Sequence, residues 1–475
     1  MPIATVNPAN GETLKTFDAL DEQEIERRLD AADRAFRRYR TTSFDERARL
    51  LNRAADLLEE EEHDIARTMT TEMGKPLRAA RAEAAKCVKA MRWYAANAER
   101  LLADEHPGDA DVKDSGASRA RVHYRPMGTV LAVMPWNFPL WQVMRFAAPA
   151  LMAGNTGLLK HASNVPQTAL YIEDLFTRAG FPAGCFQTLL VGSGAIEAIL
   201  RDPRVAAATL TGSEPAGRAV ASVAGDEVKR TVLELGGSDP YLVLPSADVP
   251  RAAETAVTAR TQNNGQSCIA AKRFIVHTDV YDDFAERFTA GMRALTVGDP
   301  MRESTDVGPL ASERGRADLE ELVEDAVGKG AAVLCGGARP EGPGDGPEQG
   351  WYYLPTVLAG ITPEMRIHRE ESFGPVAALY RVADLDEAVE LANDSRFGLS
   401  SNVWTRDEDE MGRCVRDLEA GGVFFNGMTA SHPALPFGGV KRSGYGRELA
   451  GHGIREFCNA TTVWYGPEPD AHQES

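Results

Sequence analysis

Long apolar runs are missing from this 475-residue chain. None approaches the ~20 residues that a membrane-spanning helix needs, so no span is expected. Positive charge is short: 52 Lys and Arg stand against 70 Asp and Glu, a net charge of −18. Nucleic-acid binding draws its affinity from neutralised phosphates, so a polyanionic partner or an acidic membrane surface is not expected. Cysteine is sparse. The six residues Cys87, Cys185, Cys268, Cys335, Cys414 and Cys458 form neither a disulfide framework nor a CxxC pattern. The nine histidines are equally scattered, without HExxH or other ligand spacing, and no metal is expected. The N-terminus, Met1-Pro2-Ile3-Ala4, has no basic stretch followed by an apolar core. No secretion signal is therefore visible, and a reducing cytoplasm is the expected location.

What remains is an ordinary globular composition, 43% apolar and 26% charged. The length exceeds what one hydrophobic core supports, so two or three units folding together are expected. Residues 43–102 read as helical, opened by Ser43 with Glu46 three residues on, a capping-box pattern. Leu50, Leu51, Ala54, Ala55, Leu57 and Leu58 recur on one helix face. Residues 106–118, rich in Gly, Asp and Ser, read as a surface loop. Short apolar runs follow at 129–134, 156–160, 185–191, 206–210, 232–235 and 241–244, separated by helical segments. That rhythm predicts βαβ units and a parallel sheet. A second series at 274–277, 333–335, 377–380, 401–404 and 422–425 predicts another α/β unit, with residues 340–350 as a loop inside it.

Several residues stand where chemistry is possible. Asn263-Asn264-Gly265-Gln266-Ser267-Cys268 places a thiol behind a polar, glycine-containing turn, where backbone N–H groups can solvate a thiolate. Taken alone, Cys268 is as well read as a small buried hydrophobe. In Leu233-Glu234-Leu235-Gly236-Gly237 a carboxylate ends an apolar strand before a tight turn, as a general base or as a satisfied capping group. Thr211-Gly212-Ser213-Glu214-Pro215-Ala216-Gly217 reads as a strand end, a turn and a helix start, a site suited to pyrophosphate. It departs from GxGxxG, with Glu214 in place of the second glycine. Pro135-Trp136-Asn137-Phe138-Pro139 holds an amide in a stiff setting, as an oxyanion donor or as turn chemistry.

The blocks PWNFP, GSxxxG, ELGG, GQxC, ESFGP and PFGG, in that order over nearly the whole chain, closely resemble the aldehyde dehydrogenase superfamily. The resemblance implies a Rossmann-type cofactor domain (1–118 and 134–233), an α/β catalytic domain (234–440) and a small β oligomerisation element. That element would combine a hairpin at 119–133 with a C-terminal strand in 455–475, and association into homodimers or homotetramers is implied. Cys268 matches the family nucleophile, Glu234 the base that activates water, and Asn137 the oxyanion amide. Trp136, Lys160, Gly212, Ser213, Gly217, Leu235, Glu371 and Phe373 match positions that hold the cofactor. The implied reaction converts an aldehyde to a carboxylic acid through a Cys268 thioester, with hydride passing to NAD(P).

Two finer readings follow from the same resemblance. NAD-using members carry Glu three residues after the Lys160 position; here Ser163 removes that charge and leaves Lys160 to meet a 2′-phosphate, which implies NADP, with NAD possible. The neighbouring His161 is given no role. Arg145, eight residues after Asn137, is what succinate-semialdehyde dehydrogenases carry, and with Ser431 it implies a substrate carboxylate. Gln262 departs from those enzymes that have a further Arg there, and Ala270 excludes a disulfide switch with the nucleophile. The texture NNGQSCIAAKR and PFGGVKRSGYGREL nevertheless resembles the NADP-dependent bacterial branch. A broad-range or medium-chain aldehyde dehydrogenase remains the alternative, followed by a binding or structural protein that keeps the fold without catalysis. A CoA-acylating enzyme needs no hydrolytic base and leaves Glu234 unexplained.

Overall fold

The computed structural model describes residues 2–341 and 350–466. The parts of the expected loop 340–350 and of the C-terminal segment 455–475 beyond those limits lie outside the described residues. The helical stretch is three helices, Phe44–Glu60, Glu62–Met73 and Leu77–Leu101, and the Ser43 side chain accepts the Glu46 N–H as the capping pattern predicts. The stretch 106–118 is not wholly loop, because Asp109–Asp114 forms a short helix that buries none of its residues. Among the described residues no helix is long and apolar enough to cross a membrane.

A six-stranded sheet runs in the order Gly444–Tyr445, Arg230–Glu234, Val205–Thr211, Thr129–Met134, Thr156–His161, Phe186–Thr188. The five strands from Thr129 to Glu234 are parallel, while Gly444–Tyr445 joins the edge antiparallel. The chain steps outward from Thr129–Met134 through Phe186–Thr188, then returns to the other side of its first strand. Order reversal leaves a crevice between the carboxyl ends of Thr129–Met134 and Val205–Thr211, the place where open α/β sheets take ligands. Pro135-Trp136-Asn137 leaves the first of these strands and Gly212-Ser213 the second.

The second unit is a seven-stranded sheet ordered Ala332–Cys335, Thr356–Ala359, Val376–Val382, Arg273–His277, Pro240–Val243, Ser401–Trp404, Val423–Phe425. Only its Ala332–Cys335 edge runs antiparallel. Between the sheets the chain crosses at Leu235–Asp239, directly after Glu234. The helix Trp141–Ala153, buried along its whole length, follows the Pro135–Pro139 turn and carries Arg145 into the interior.

The expected hairpin at 119–133 is corrected. Arg119–Pro126 pairs antiparallel with Cys458–Tyr465 in a separate two-stranded ribbon, whereas Thr129–Met134 lies inside the six-stranded sheet. The Pro126-Met127-Gly128 turn ends the ribbon strand and redirects the chain.

Gly444 joins the edge of the first sheet opposite Glu234 with φ +119, and a Cβ there would lie 1.9 Å from the Leu233 carbonyl oxygen. Gly444→Ala is therefore expected to destabilise by about 2–4 kcal/mol, because the clash is with backbone and the φ is strained. Thermal unfolding of the variant against wild type checks it. A melting temperature equal to wild type is incompatible with this edge pairing.

Candidate functional site

A cavity of about 240 Å³ opens at the crevice and is lined by Trp136, Asn137, Thr211, Gly212, Ser213, Leu235, Gly236, Cys268, Glu371 and Phe373. The expected nucleophile, the oxyanion amide and six of the expected cofactor positions thus face one space. The Trp136 and Phe373 rings meet edge to face at 5.7 Å. Gly217 does not reach the cavity. A Cβ there would come within 2.5 Å of Leu235 Cδ2, so this glycine lets the helix Glu214–Asp226 pack on Leu235.

Cys268 sits at the end of a loop whose backbone is held in an unusual shape. Asn263, Asn264 and Gly265 all have left-handed φ, of 55°, 59° and 72°. Asn and Gly are the residue types that tolerate this region. Four side chains staple the loop. Arg260 donates to the Gly265 carbonyl at 2.6 Å and the Ala271 carbonyl at 2.9 Å. Asn264 donates to the Gly74 and Pro309 carbonyls, both at 2.9 Å. Asn263 donates to the Asn137 carbonyl at 2.7 Å and the Gln266 carbonyl at 3.0 Å. Lys272 Nζ donates to the carbonyls of Ser267 and Cys268 at 2.9 and 2.8 Å and pairs with Glu371 at 3.2 Å. Arg260 and Lys272 carry no sequence signal beyond their proximity to Cys268.

Burial pushes the Cys268 thiol up to about 12, opposed by the positive charges of Arg145 and Lys272. Burial thus favours the neutral thiol over the thiolate. Asn137 Nδ2 donates one hydrogen to the Gln266 carbonyl at 3.1 Å. An amide nitrogen carries two, so one is left for an oxyanion.

Glu234 is buried at the end of its strand, and neither carboxyl oxygen has a hydrogen-bond partner among the described residues. Burial, then the charge of Glu448, pushes it well above the usual carboxylate range, while Arg145 and Arg447 pull the other way. Arg145 is ion-paired with Glu448, lies 4.6 Å from the Phe437 ring centroid and donates to Thr211 Oγ1 at 3.4 Å. Glu448 was not among the residues singled out by sequence. Ser431 accepts hydrogen bonds from Trp141 Nε1 at 3.2 Å and from Lys86 Nζ at 2.7 Å.

Lys160 is half-buried on its strand, and burial lowers its ammonium; among the described residues it has neither a carboxylate partner nor a hydrogen-bond acceptor. An unpartnered, half-buried cation at the carboxyl end of the sheet fits a phosphate group. Ser163, three residues on, accepts the Ala4 N–H through its backbone carbonyl at 3.0 Å, and its hydroxyl has no partner among the described residues. His161 is structural: Nε2 donates to the Pro139 carbonyl at 2.8 Å while Nδ1 accepts the Ala162 N–H at 3.0 Å. Burial lowers it to about 4, so it stays neutral and ties the strand end to the Pro135–Pro139 turn.

Comparison with known proteins places this arrangement. A family model described as "Aldehyde dehydrogenase family" matches residues 1–463. The chain is 63% identical to the succinate-semialdehyde dehydrogenase (NADP(+)) 1 of Mycobacterium tuberculosis, over 98% of this chain and 100% of the relative. A succinate-semialdehyde dehydrogenase (NADP(+)) of Mycobacterium avium is also 63% identical, over 98% and 97% of the two chains. The crystal structure of succinic semialdehyde dehydrogenase from Streptococcus pyogenes in complex with NADP+ superposes with a TM-score of 0.93 at 35% identity, covering 98% of this chain and 100% of that one.

Lys272→Met keeps most of the side-chain volume but leaves two carbonyls of the cysteine loop without their donor. Expected is a loss of about 2–3 kcal/mol in stability, since each bond to a charged donor is worth roughly 1.5–3 kcal/mol. Alkylation of Cys268 by iodoacetamide should also lose its single rate as the loop samples several shapes. Unchanged melting and unchanged alkylation kinetics count against the staple.

Proposed function

Because the chain belongs to the aldehyde dehydrogenase family, we propose that it oxidises succinate semialdehyde to succinate with NADP. The observation that carries the substrate is Arg145, a guanidinium buried beside the nucleophile and the strongest cationic influence on the Cys268 thiol. The 63% identity of the chain to two mycobacterial relatives named succinate-semialdehyde dehydrogenase (NADP(+)) supports the same reading.

The Cys268 thiol releases its proton to solvent, its Sγ attacks the aldehyde carbon, and the free N–H of the Asn137 side chain and the Cys268 backbone N–H take the charge that develops on oxygen. Such a donor is worth roughly 3–4 kcal/mol in related sites. Bound NADP supplies the hydride acceptor. Trp136, Gly212, Ser213, Leu235, Glu371 and Phe373 line its place, Gly217 lets the neighbouring helix pack, and Lys160 and Ser163 take the 2′-phosphate. The resulting Cys268 thioester is hydrolysed by water, a poor nucleophile, and Glu234 removes its proton. Arg145 and Ser431 hold the distal carboxylate. The pairing of Arg145 with Glu448 favours a second reading, in which Arg145 serves the buried acids and the substrate is an uncharged aldehyde. Comparing kcat/KM for succinate semialdehyde and butanal decides: a ratio near one supports the second reading and removes the first.

We also infer a cytoplasmic homodimer or homotetramer. The ribbon of Arg119–Pro126 and Cys458–Tyr465 stands apart from both sheets, with Trp464 51% exposed, and supports self-association.

The raised Glu234 gives pH dependence a sign. A base with a raised pKa ionises only at higher pH than a free carboxylate, so its active form grows as pH rises. Steady-state kcat should therefore climb with pH above the range in which a free carboxylate ionises, if thioester hydrolysis limits turnover. Glu234→Gln should remove that climb, slow turnover and leave an NADPH burst in rapid mixing. A variant with the wild-type rate and profile takes Glu234 out of this role.

Ser163→Glu tests the cofactor. A carboxylate ~4 Å from a phosphate charge repels it by about 4 kcal/mol at an effective dielectric near 20, before screening. Wild type should have higher kcat/KM with NADP than with NAD, and the variant should lose that preference by weakening NADP. A wild type that strongly favours NAD contradicts the assignment.

A further inference from the structure

Lys86 lies on the helix Leu77–Leu101, far in sequence from every residue assigned above, yet its Nζ reaches Ser431 Oγ at 2.7 Å and lies 4.3 Å from the Trp141 ring centroid. It is only half-buried, and the charge that acts on it most strongly is that of Arg145. The two acids nearest this corner are committed elsewhere, Glu83 to Lys75 and Glu448 to Arg145. Among the described residues no carboxylate pairs with Lys86. Arg145 therefore arrives with its charge already offset, and Lys86 is the cation beside Ser431 whose charge is not.

Ser431 adds a directional argument. Its hydroxyl oxygen has two lone pairs, and the donors at Lys86 Nζ and Trp141 Nε1 occupy them. The hydroxyl hydrogen is left to donate. An acceptor placed there would meet that hydrogen together with the N–H groups Lys86 has left, a combination suited to a carboxylate.

We infer that Lys86 joins Arg145 in reading the substrate's negative charge, binding the distal carboxylate together with the Ser431 hydroxyl and supplying the charge that Glu448 draws from Arg145. This inference rests on the succinate semialdehyde reading and deepens it. It also accounts for the site managing with Gln262, since a second cation enters from a different element. Burial, with Arg145 next, lowers the Lys86 ammonium to about 8, so it is still largely charged at neutral pH, and a bound carboxylate would hold it so.

The test uses the full-length enzyme with Lys86→Met, which keeps an aliphatic stem over Trp141, and with Lys86→Arg, which keeps the charge. For each, kcat and KM are measured with succinate semialdehyde and with butanal at saturating NADP, and succinate is titrated as a competitive inhibitor. In Lys86→Met the ratio of kcat/KM for succinate semialdehyde to that for butanal should fall about 10–100-fold, mostly through KM, the size expected for losing one charge-assisted contact. The inhibition constant of succinate should rise in parallel, and Lys86→Arg should recover most of both. Equal losses on the two aldehydes in both variants, or an unchanged ratio, overturn the inference. A wild type without preference for succinate semialdehyde instead overturns the substrate reading itself.

Discussion

Two carboxyl groups, Glu234 and Glu448, are buried near one another with one guanidinium, Arg145, paired to the second and acting on both. Burying an acid in low dielectric favours its neutral form, and a like charge nearby favours it further. Arg447 acts on Glu234 as well, yet Glu234 and Glu448 still draw on the same Arg145 guanidinium. Most of the site's arrangement follows. The strand end must deliver Glu234, the helix Trp141–Ala153 must deliver Arg145, and the C-terminal region must fold back to deliver Glu448. The Gly444–Tyr445 strand pairs beside Glu234, and Glu448 exchanges backbone hydrogen bonds with Phe437 at 2.7 Å, which tethers that return.

The cysteine loop solves a different problem with similar means. A thiol buried in protein is pushed toward its neutral form, and the loop answers with cations placed on carbonyl groups, one of which, Lys272, also meets the Glu371 carboxylate. Arg260 and Lys272 satisfy four carbonyl oxygens of the segment on either side of Cys268. Burial lowers Arg260 to about 9, the cost of placing a guanidinium there at all. The gain is geometric: a left-handed Asn-Asn-Gly turn would drift without fixed acceptors, and the thiol with it. A Cβ at Gly265 would meet the Gly374 backbone at 2.4 Å, so the cysteine loop and the loop carrying Phe373 are packed backbone to backbone. The proposed nucleophile and the proposed cofactor wall are thereby tied together through one contact.

Much of this was legible in the sequence where the signal is local. The run 129–134 was read as a strand and is Thr129–Met134, because a continuous apolar run between turn signals has few other solutions. Ser43 with Glu46 marked a helix start, since the cap is a three-residue event. The α/β class and the aldehyde dehydrogenase resemblance hold for the same reason: order and spacing of short blocks survive in a linear text. Long-range pairing does not. Nothing around Glu448 indicates that it meets Arg145, and nothing around Lys86, one of several Lys and Arg on its helix, marks it as facing Ser431. The ribbon boundary was misplaced because Arg119–Pro126 and Thr129–Met134 both read as β, and only pairing partners tell a ribbon strand from a sheet strand.

The net charge of −18 sits oddly with a site proposed to take an anionic substrate and a polyphosphate cofactor. The two facts act at different ranges. Surface acids are screened by salt beyond a Debye length of about 8 Å at physiological ionic strength. Lys86, Arg145, Lys160 and Lys272 are half-buried or buried, where little water or salt stands between them and a ligand. At contact distance a cation in that setting outweighs many screened carboxylates. The acidic surface can thus disfavour polyanions that cannot enter the crevice while leaving small anions free to bind inside it. Selectivity by size then follows from charge placement, with the cations kept where only a small ligand can reach them.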